Sequence, residues 1–494
     1  MEKEKTASGP LLVLAAFCVV LYLTGLLNSS SGFYDSDSYY HLAFSGFIKD
    51  FGLRHTFPWA QFSVLKDTFA DKDIFFHILI LPFLYLIKNP VAAGKCALTF
   101  FDIAFILAYL YVLRAYVPAA LAALILVLPF FSSVFTFYCL QLRSITLAST
   151  FGILIVYFLI RKKPRTVFLL TLLYTLSHLS FYMLIPIAIA CEILRSLREK
   201  EFCAGTIGAV LSAIAVGILL HPNFPNNVLI IYLNGMVAPW LALNSRSLGP
   251  CGEMLPENTR QALINNPTLF LSLGLIIWVF LFKRRKADFS ICVWFFCASM
   301  YLTLAFIANR FWYDANVYYF IFLAACIGRL WRDHAPQRHA RRIKVLVIAY
   351  VAAAMTCACL NNNAVTALMN FYGPRSVYYE NIALWMQKNI PPGHTVYHSY
   401  WDDAPYFICF NPKDNYINVI DPIYMYWRHK PEFALMDQLS LGMAGNPKEV
   451  INKVFKAEYG FLRKEEPLGR QVKNDALNFE ILYSNPAGMI FKTR

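Results

Sequence analysis

Hydrophobic positions in this chain fall into long runs, and polar positions into short clusters between them. Runs near residues 10–27, 94–113, 117–136, 145–160, 166–177, 180–194, 203–220, 267–282, 288–308, 316–331 and 343–360 read as helices that cross a bilayer, for which roughly 20 apolar residues suffice. The predicted fold is a polytopic α-helical membrane protein of about 11 spans. The run from Ile74 to Ile87 is interrupted by His77 and Pro82 and holds only about 14 apolar residues, so it is expected as an interfacial helix within a long first external loop, about 28–93. Residues 166–177 and 180–194 leave too little chain for two full crossings unless both helices are short or broken around Ser177-His178. Broken helices at membrane depth survive only against protein or water, which places His178 at the border of a cavity.

After about residue 361 the pattern changes, as Pro, Asn, Asp and Lys rise. A helical stretch from Tyr378 to Lys388 ends at Pro391-Pro392-Gly393. Strand-like runs follow at Thr395 to Tyr400 and Tyr416 to Ile420, helices near 432–441 and 447–456, and a last hairpin turning at Asn485-Pro486-Ala487-Gly488. This alternation predicts a compact C-terminal α/β domain over 361–494, whose single cysteine, Cys409, leaves it to hold by its core.

Composition and charge fit this division. With 58% hydrophobic and 15% charged residues, the chain is outside the range of soluble domains. Its net charge of +14 lies in short clusters between apolar runs, which argues for topology signals and against nucleic acid. Arg161-Lys162-Lys163-Pro164-Arg165, Arg195 to Lys200, Lys283-Arg284-Arg285-Lys286 and the run Arg329 to Lys344 are all expected on the cytoplasmic side. The N-terminus is then cytoplasmic, the run from Pro10 to about Leu27 an uncleaved signal anchor, and the C-terminal domain extracytoplasmic. Twelve cysteines without a CxxC pair indicate neither a zinc site nor a disulfide framework.

Polar groups converge on the external face under this topology. Tyr34-Asp35-Ser36-Asp37-Ser38-Tyr39-Tyr40-His41 follows directly on the first apolar run, and aspartates at a membrane boundary are costly unless they face water, a cation or a substrate. The same loop carries Asp67, Asp71, Asp73 and His77. Arg143 lies between the third and fourth spans, Arg310 between the ninth and tenth, and Glu253 in the large loop before the eighth. Carboxylates serve as general bases or cation ligands, while arginines clamp phosphate oxygens through a planar, permanent charge. External loops more often carry such carboxylates merely solvated, and arginines at span ends ordinarily anchor lipid phosphates. The combination suits a phosphate-bearing donor, and outside the cytoplasm that donor is lipid-linked.

Asp37-Ser38-Tyr39-Tyr40-His41-Leu42 resembles the D-P-Y-Y-H-L-R motif of the first external loop in the catalytic subunit of oligosaccharyltransferase, of the archaeal and bacterial type, within the GT-C class of membrane glycosyltransferases. Leu128-Pro129-Phe130 leading to Arg143-Ser144 resembles that family's approach to its second motif. Ala383-Leu384-Trp385, Pro391-Pro392-Gly393 and His398-Ser399-Tyr400-Trp401-Asp402-Asp403 resemble the approach to W-W-D-Y-G. The resemblance implies a GT-C-like catalytic domain over 1–360 in the cell membrane and a donor sugar or oligosaccharide on a polyprenyl phosphate or diphosphate. It also implies a protein or glycan acceptor. Asp37, assisted by Asp35, is then the catalytic or metal-binding aspartate, and Glu253 a second ligand for Mg2+ or Mn2+. Arg310 and Arg143 contact the donor phosphate, and His41, His77, Asp73, His178 and Trp401 are further substrate-binding candidates. Ala43 stands where the family has arginine, no acidic pair follows Arg143-Ser144, and Trp401-Asp402-Asp403-Ala404 departs from W-W-D-Y-G. These departures point toward GT-C enzymes in which a first-loop aspartate acts on a polyprenyl monophosphate sugar without metal. The competing class is a transporter or flippase of a lipid-linked or small polar substrate, although its binding groups belong near the membrane midplane.

Overall fold

The computed structural model describes residues 9–244, 252–273, 288–333 and 340–494. The predicted apolar runs are helical throughout these residues. Among them, Gly9–Leu27, Pro90–Arg114, Leu179–Glu199 and Phe289–Ile307 are each long and apolar enough to cross a membrane. Leu11, Val13, Leu14, Phe17 and Leu21 of the first helix are exposed, as lipid-facing side chains are. Ile145–Ile160, Ala204–Leu219 and Pro164–Ser177 are shorter helices packed among these. Trp312–Asp333 has the length of a span but carries charges at both ends. Residues 274–287, and with them the cluster Lys283-Arg284-Arg285-Lys286 and most of the expected 267–282 span, lie outside the described residues.

Two expected spans are broken. The run at 117–136 forms helices Ala119–Phe131 and Ser133–Cys139 bent by 93°. Pro129 lies in the 3-10 turn before the bend, and Ser132 caps the second helix by accepting from Phe135 N at 3.1 Å. The bend is covered by protein: Ser132 and Ser133 donate to Asn266 Oδ1 and Asn265 Oδ1 at 2.7 and 2.9 Å. Pro164–Ser177 stops at His178, as the chain length required, and resumes through a 3-10 turn into Leu184–Glu199.

At the end where helices Ile145–Ile160 and Leu184–Glu199 finish, Arg195 is fully buried. It bonds Glu192 at 3.1 Å and the Leu159 carbonyl at 2.6 Å, while Glu192 accepts from Cys203 N and Thr206 Oγ1. This pair fastens three helix ends together.

The boundary expected at residue 361 falls inside one continuous 50-residue helix, Ala340–Asn389, roughly 75 Å long at 1.5 Å per residue. It runs straight into the C-terminal domain. That domain's sheet has the order β2-β1-β3-β5-β4, with β1 Thr395–His398, β2 Asn415–Tyr416, β3 Tyr459–Arg463, β4 Phe479–Ser484 and β5 Gly488–Thr493. β1 is parallel to β2 and β3, and β5 is antiparallel to β3 and β4. The β4–β5 hairpin turns where the sequence predicted it. Gly488 is required there, because a Cβ would lie 2.3 Å from the Leu462 carbonyl oxygen.

The domain is bound through backbone hydrogen bonds to the loop that follows the first helix. Tyr416 N donates to Trp59 O at 2.7 Å, Gln61 N to Tyr416 O at 2.8 Å and Phe62 N to Ile417 O at 2.9 Å, while Trp59 Nε1 reaches Pro412 O at 2.8 Å. The loop thus extends the sheet beyond β2, covering an edge that would otherwise be open.

Beyond the C-terminal ends of β1 and β3, Arg463 bonds Asp402 at 2.7 Å and Asp403 at 2.6 Å. Beside them Glu466 is buried, with Oε2 lacking a partner among the described residues. Burial, reinforced by the Asp403 charge, pushes its carboxyl up to about 9. Between the unfolded value of about 4.3 and that point the folded chain keeps a proton the unfolded chain has released, so stability falls as pH rises across the window. Glu466→Gln keeps the shape without the titration. It is expected to flatten the fall of the thermal midpoint between about pH 5 and pH 9, measured on the full chain in detergent.

Candidate active site

The loop helix Ser36–Phe51 begins at Asp35, whose carboxylate caps it by accepting from Ser38 N at 3.2 Å and from Ser38 Oγ. Capping is the local reason for an aspartate here. Ser38, fully buried, also accepts from Leu142 N at 2.8 Å, which pins the QLRS turn against the helix start and delivers Arg143. Arg143 then meets three carboxylates: Nη2 bonds Asp37, Nη1 bonds Glu253 Oε1 at 2.8 Å, and Nε lies 3.6 Å from Asp35 Oδ2. Groups predicted separately to be catalytic, phosphate-binding and metal-binding are joined here around one guanidinium.

The environment separates the two aspartates. Burial opposes ionisation at Asp37, but Arg143, with Lys72 and Arg310 behind it, outweighs it and holds the carboxyl below its ordinary range. At Asp35, burial outweighs Arg143 and, reinforced by the Asp37 charge, pushes the group up to about 7.

Two more cations face the cluster. Among the described residues neither Arg310 nor Lys72 has a carboxylate within ion-pair range. Arg310 Nη1 lies 3.7 Å from Met254 Sδ, and the Lys72 ammonium stands 6.0 Å from the Tyr40 ring centre. Both act on Asp37, on His178 at the helix break, and on Asp421 from the C-terminal domain, whose carboxyl is raised by burial. Asp421 Oδ2 accepts from Asn234 Nδ2 at 3.2 Å, and Tyr424 donates to Asn234 Oδ1. The helical segment 226–244 therefore closes one side of the site.

The acidic stretch 67–73 divides three ways. Asp67 is exposed and pairs with Arg428 of the C-terminal domain at 2.7 Å. Asp71 bonds His77 Nδ1 at 2.6 Å, and His77 bonds His41 at 2.8 Å. Asp73 accepts from Ser144 Oγ at 2.8 Å and is raised by burial. Trp401 lies in the turn after β1, half-buried, and no contact joins it to the Asp37 cluster among the described residues. Sequence reasoning missed Lys72, the one base in a run of acids, although a lone lysine between Asp71 and Asp73 was a signal. Asp421 gave none, since only folding brings it from the far end of the chain.

Asp37 and Glu253, the donors expected for Mg2+ or Mn2+, are both engaged by Arg143. Among the described residues no three His, Cys, Asp or Glu side chains are grouped to hold a metal ion. As folded, the donor set fits a guanidinium and not a divalent cation.

No protein-family model and no curated protein sequence matches the chain. Solved structures do. The Archaeoglobus fulgidus oligosaccharyltransferase AglB, in complex with an inhibitory peptide and a dolichol-phosphate, superposes with a TM-score of 0.66 at 12% identity, over 93% of this chain and 70% of that one. The same organism's oligosaccharyltransferase in complex with zinc and sulfate gives 0.62 at 13% identity, over 92% and 68%. ArnT from Cupriavidus metallidurans, bound to undecaprenyl phosphate, gives 0.59 at 11% identity over 97% of both chains. This chain is an integral, multi-pass membrane protein with the GT-C fold of these glycosyltransferases, carrying a C-terminal α/β domain.

Proposed function

We propose that this protein is a membrane glycosyltransferase that moves a sugar or oligosaccharide from a polyprenyl phosphate or diphosphate to a protein or glycan acceptor. The observation that carries this reading is a pair of cations, Lys72 and Arg310, that have no carboxylate within ion-pair range among the described residues and stand near an aspartate that is itself locked to Arg143. Positive charge without a direct ion pair favours an anion, and phosphate at the head of a lipid is the anion a membrane boundary offers. The fold is shared with proteins solved with dolichol-phosphate and undecaprenyl phosphate, which supports the lipid-linked donor.

Transfer proceeds with inversion. The acceptor nucleophile forms a bond to the anomeric carbon while the bond from that carbon to the phosphate oxygen breaks, and the electron pair leaves on the phosphate. Arg310 and Lys72 stabilise the charge that develops there. Asp37, fixed by Arg143 and flanked by Asp35, orients the nucleophile and balances positive charge at the reacting carbon. Asp421 and Asn234 wall the acceptor side, with the C-terminal domain outside the cell membrane and the N-terminus in the cytoplasm. A divalent ion would have to displace Arg143 from Asp37 and Glu253, so no step is assigned to one.

The test is release and transfer of radiolabelled sugar from polyprenyl-phosphate and polyprenyl-diphosphate donors by purified protein, with mixed peptide and glycan acceptors. Wild type is expected to turn over one donor class and Asp37→Asn to lose at least about 10^2-fold in kcat. A chelator arm reports on metal. Saturable binding or flipping of the lipid without any sugar release would replace this reading by transport. In the same assay Lys72→Ala and Arg310→Ala are each expected to lower kcat by about 10^2-fold. Their affinity for bare undecaprenyl phosphate is expected to fall about tenfold, or ~1.4 kcal/mol. Unchanged lipid affinity in both would remove the phosphate role.

A further inference from the structure

Asp71, His77 and His41 form a buried file of hydrogen bonds leading to the loop helix, with 3%, 0% and 5% of their surfaces exposed. Asp71 Oδ2 lies 2.6 Å from His77 Nδ1, and His77 Nε2 lies 2.8 Å from His41 Nδ1. Asp71 is held on all sides. Its Oδ1 accepts from Asp73 N at 3.1 Å, its N–H donates to Asn223 Oδ1 at 3.1 Å, and its carbonyl accepts from His221 Nε2 at 3.0 Å.

The carboxylate fixes the first proton of the file. A carboxylate oxygen only accepts, so His77 carries a proton on Nδ1. With no second proton on His77, its Nε2 accepts and His41 Nδ1 donates. His41 is bonded to His77 through Nδ1, which leaves the remaining lone pair on His41 Nε2. His41 follows Asp37 by one helical turn on the same helix, so both lie on one face. The groups acting on the pair are Lys72, Arg143 and His178 around His41, and Asp73 and Tyr40 around His77. Burial, followed by His77, Lys72, Arg143 and His178, keeps His41 well below its ordinary value and therefore uncharged.

We propose that this file is a proton relay and that His41 Nε2 accepts the proton of the acceptor nucleophile, a role that rests on the glycosyl-transfer reading above. As the nucleophile bonds to the anomeric carbon its proton passes to His41 Nε2. The proton on His41 Nδ1 moves to His77 Nε2, and that on His77 Nδ1 moves to Asp71 Oδ2. One proton enters, the Asp71 carboxylate is neutralised, and the electron pair of the broken glycosidic bond departs on the phosphate. The two aspartates are already engaged. Asp37 is committed to Arg143, and Asp35 already accepts from Ser38 on both oxygens.

The direction of the file supplies the test. In Asp71→Asn the side-chain oxygen keeps the Asp73 N–H, so the amide NH2 faces His77 Nδ1 and every proton in the file reverses. His41 then presents Nε2–H to the site. Nitrogen-15 NMR of histidine-labelled full chain in detergent, with His41 assigned from His41→Asn, is expected to show a bare Nε2 in wild type and a protonated one in Asp71→Asn. The variant is expected to lose about 10^2- to 10^4-fold in kcat while binding bare undecaprenyl phosphate as wild type does. In His41→Ala, added imidazole is expected to restore transfer, an arm that does not depend on the folding of Asp71→Asn.

A proton on His41 Nε2 in wild type overturns the relay. So does wild-type kcat in an Asp71→Asn protein whose nitrogen pattern has reversed, or failure of imidazole to restore transfer. Wild type that transfers no sugar from any donor overturns the glycosyl-transfer reading and the relay's role together.

Discussion

One guanidinium organises the polar cluster at the head of the loop helix. Arg143 binds carboxylates from the first loop and from the large loop near residue 253, segments that are about 100 residues away on either side in the chain. Three half-buried negative charges in one place are unstable without a counter-charge, because each raises the cost of ionising the others. A guanidinium answers this with donors fixed in a plane, so it sets the directions of Asp37 and Glu253 as well as their charge. The bond from Leu142 N to Ser38 makes the placement possible, since it brings the QLRS turn to the head of the loop helix.

The rest of the site follows from what that cluster leaves over. Its carboxylates are bonded by Arg143, and among the described residues Lys72 and Arg310 have no carboxylate within ion-pair range. Asp37 stays charged, and Asp35, in the same network, is held near neutrality by its burial. The C-terminal domain completes the enclosure without a flexible linker. It is carried on the 50-residue helix, shares backbone hydrogen bonds with Trp59, Gln61 and Phe62, and contributes Asp421. Backbone hydrogen bonds and the Asp67–Arg428 ion pair tie loop and domain together.

Much of this was legible in the chain, and the reasons are physical. Apolar runs must be helical in a bilayer, because backbone groups there have no other partners, so the helices and the break at His178 follow from run lengths. The hairpin at Asn485 to Gly488 follows from local turn chemistry. The bend at Ser132 was not legible, because a buried serine cap and a proline within an apolar run look like one uninterrupted span until Asn265 and Asn266 are seen to cover the break. β3 was missed because Tyr459–Arg463 is short and lacks alternation, being almost wholly buried between β1 and β5.

The sequence by itself determined that this is a multi-pass membrane protein with an α/β domain at its C-terminal end, and that Asp35, Asp37, Arg143, Arg310 and Glu253 are polar groups in the segments between apolar runs. Periodicity and run length are local properties, and they survive in any fold the chain adopts. Only the tertiary structure decided that Arg143 belongs to the carboxylates, that Lys72 and Asp421 lie near them, and that His41, His77 and Asp71 form one file of hydrogen bonds. Those relations join residues between 6 and about 350 positions apart, and their energies depend on distance and burial, which no one-dimensional pattern records.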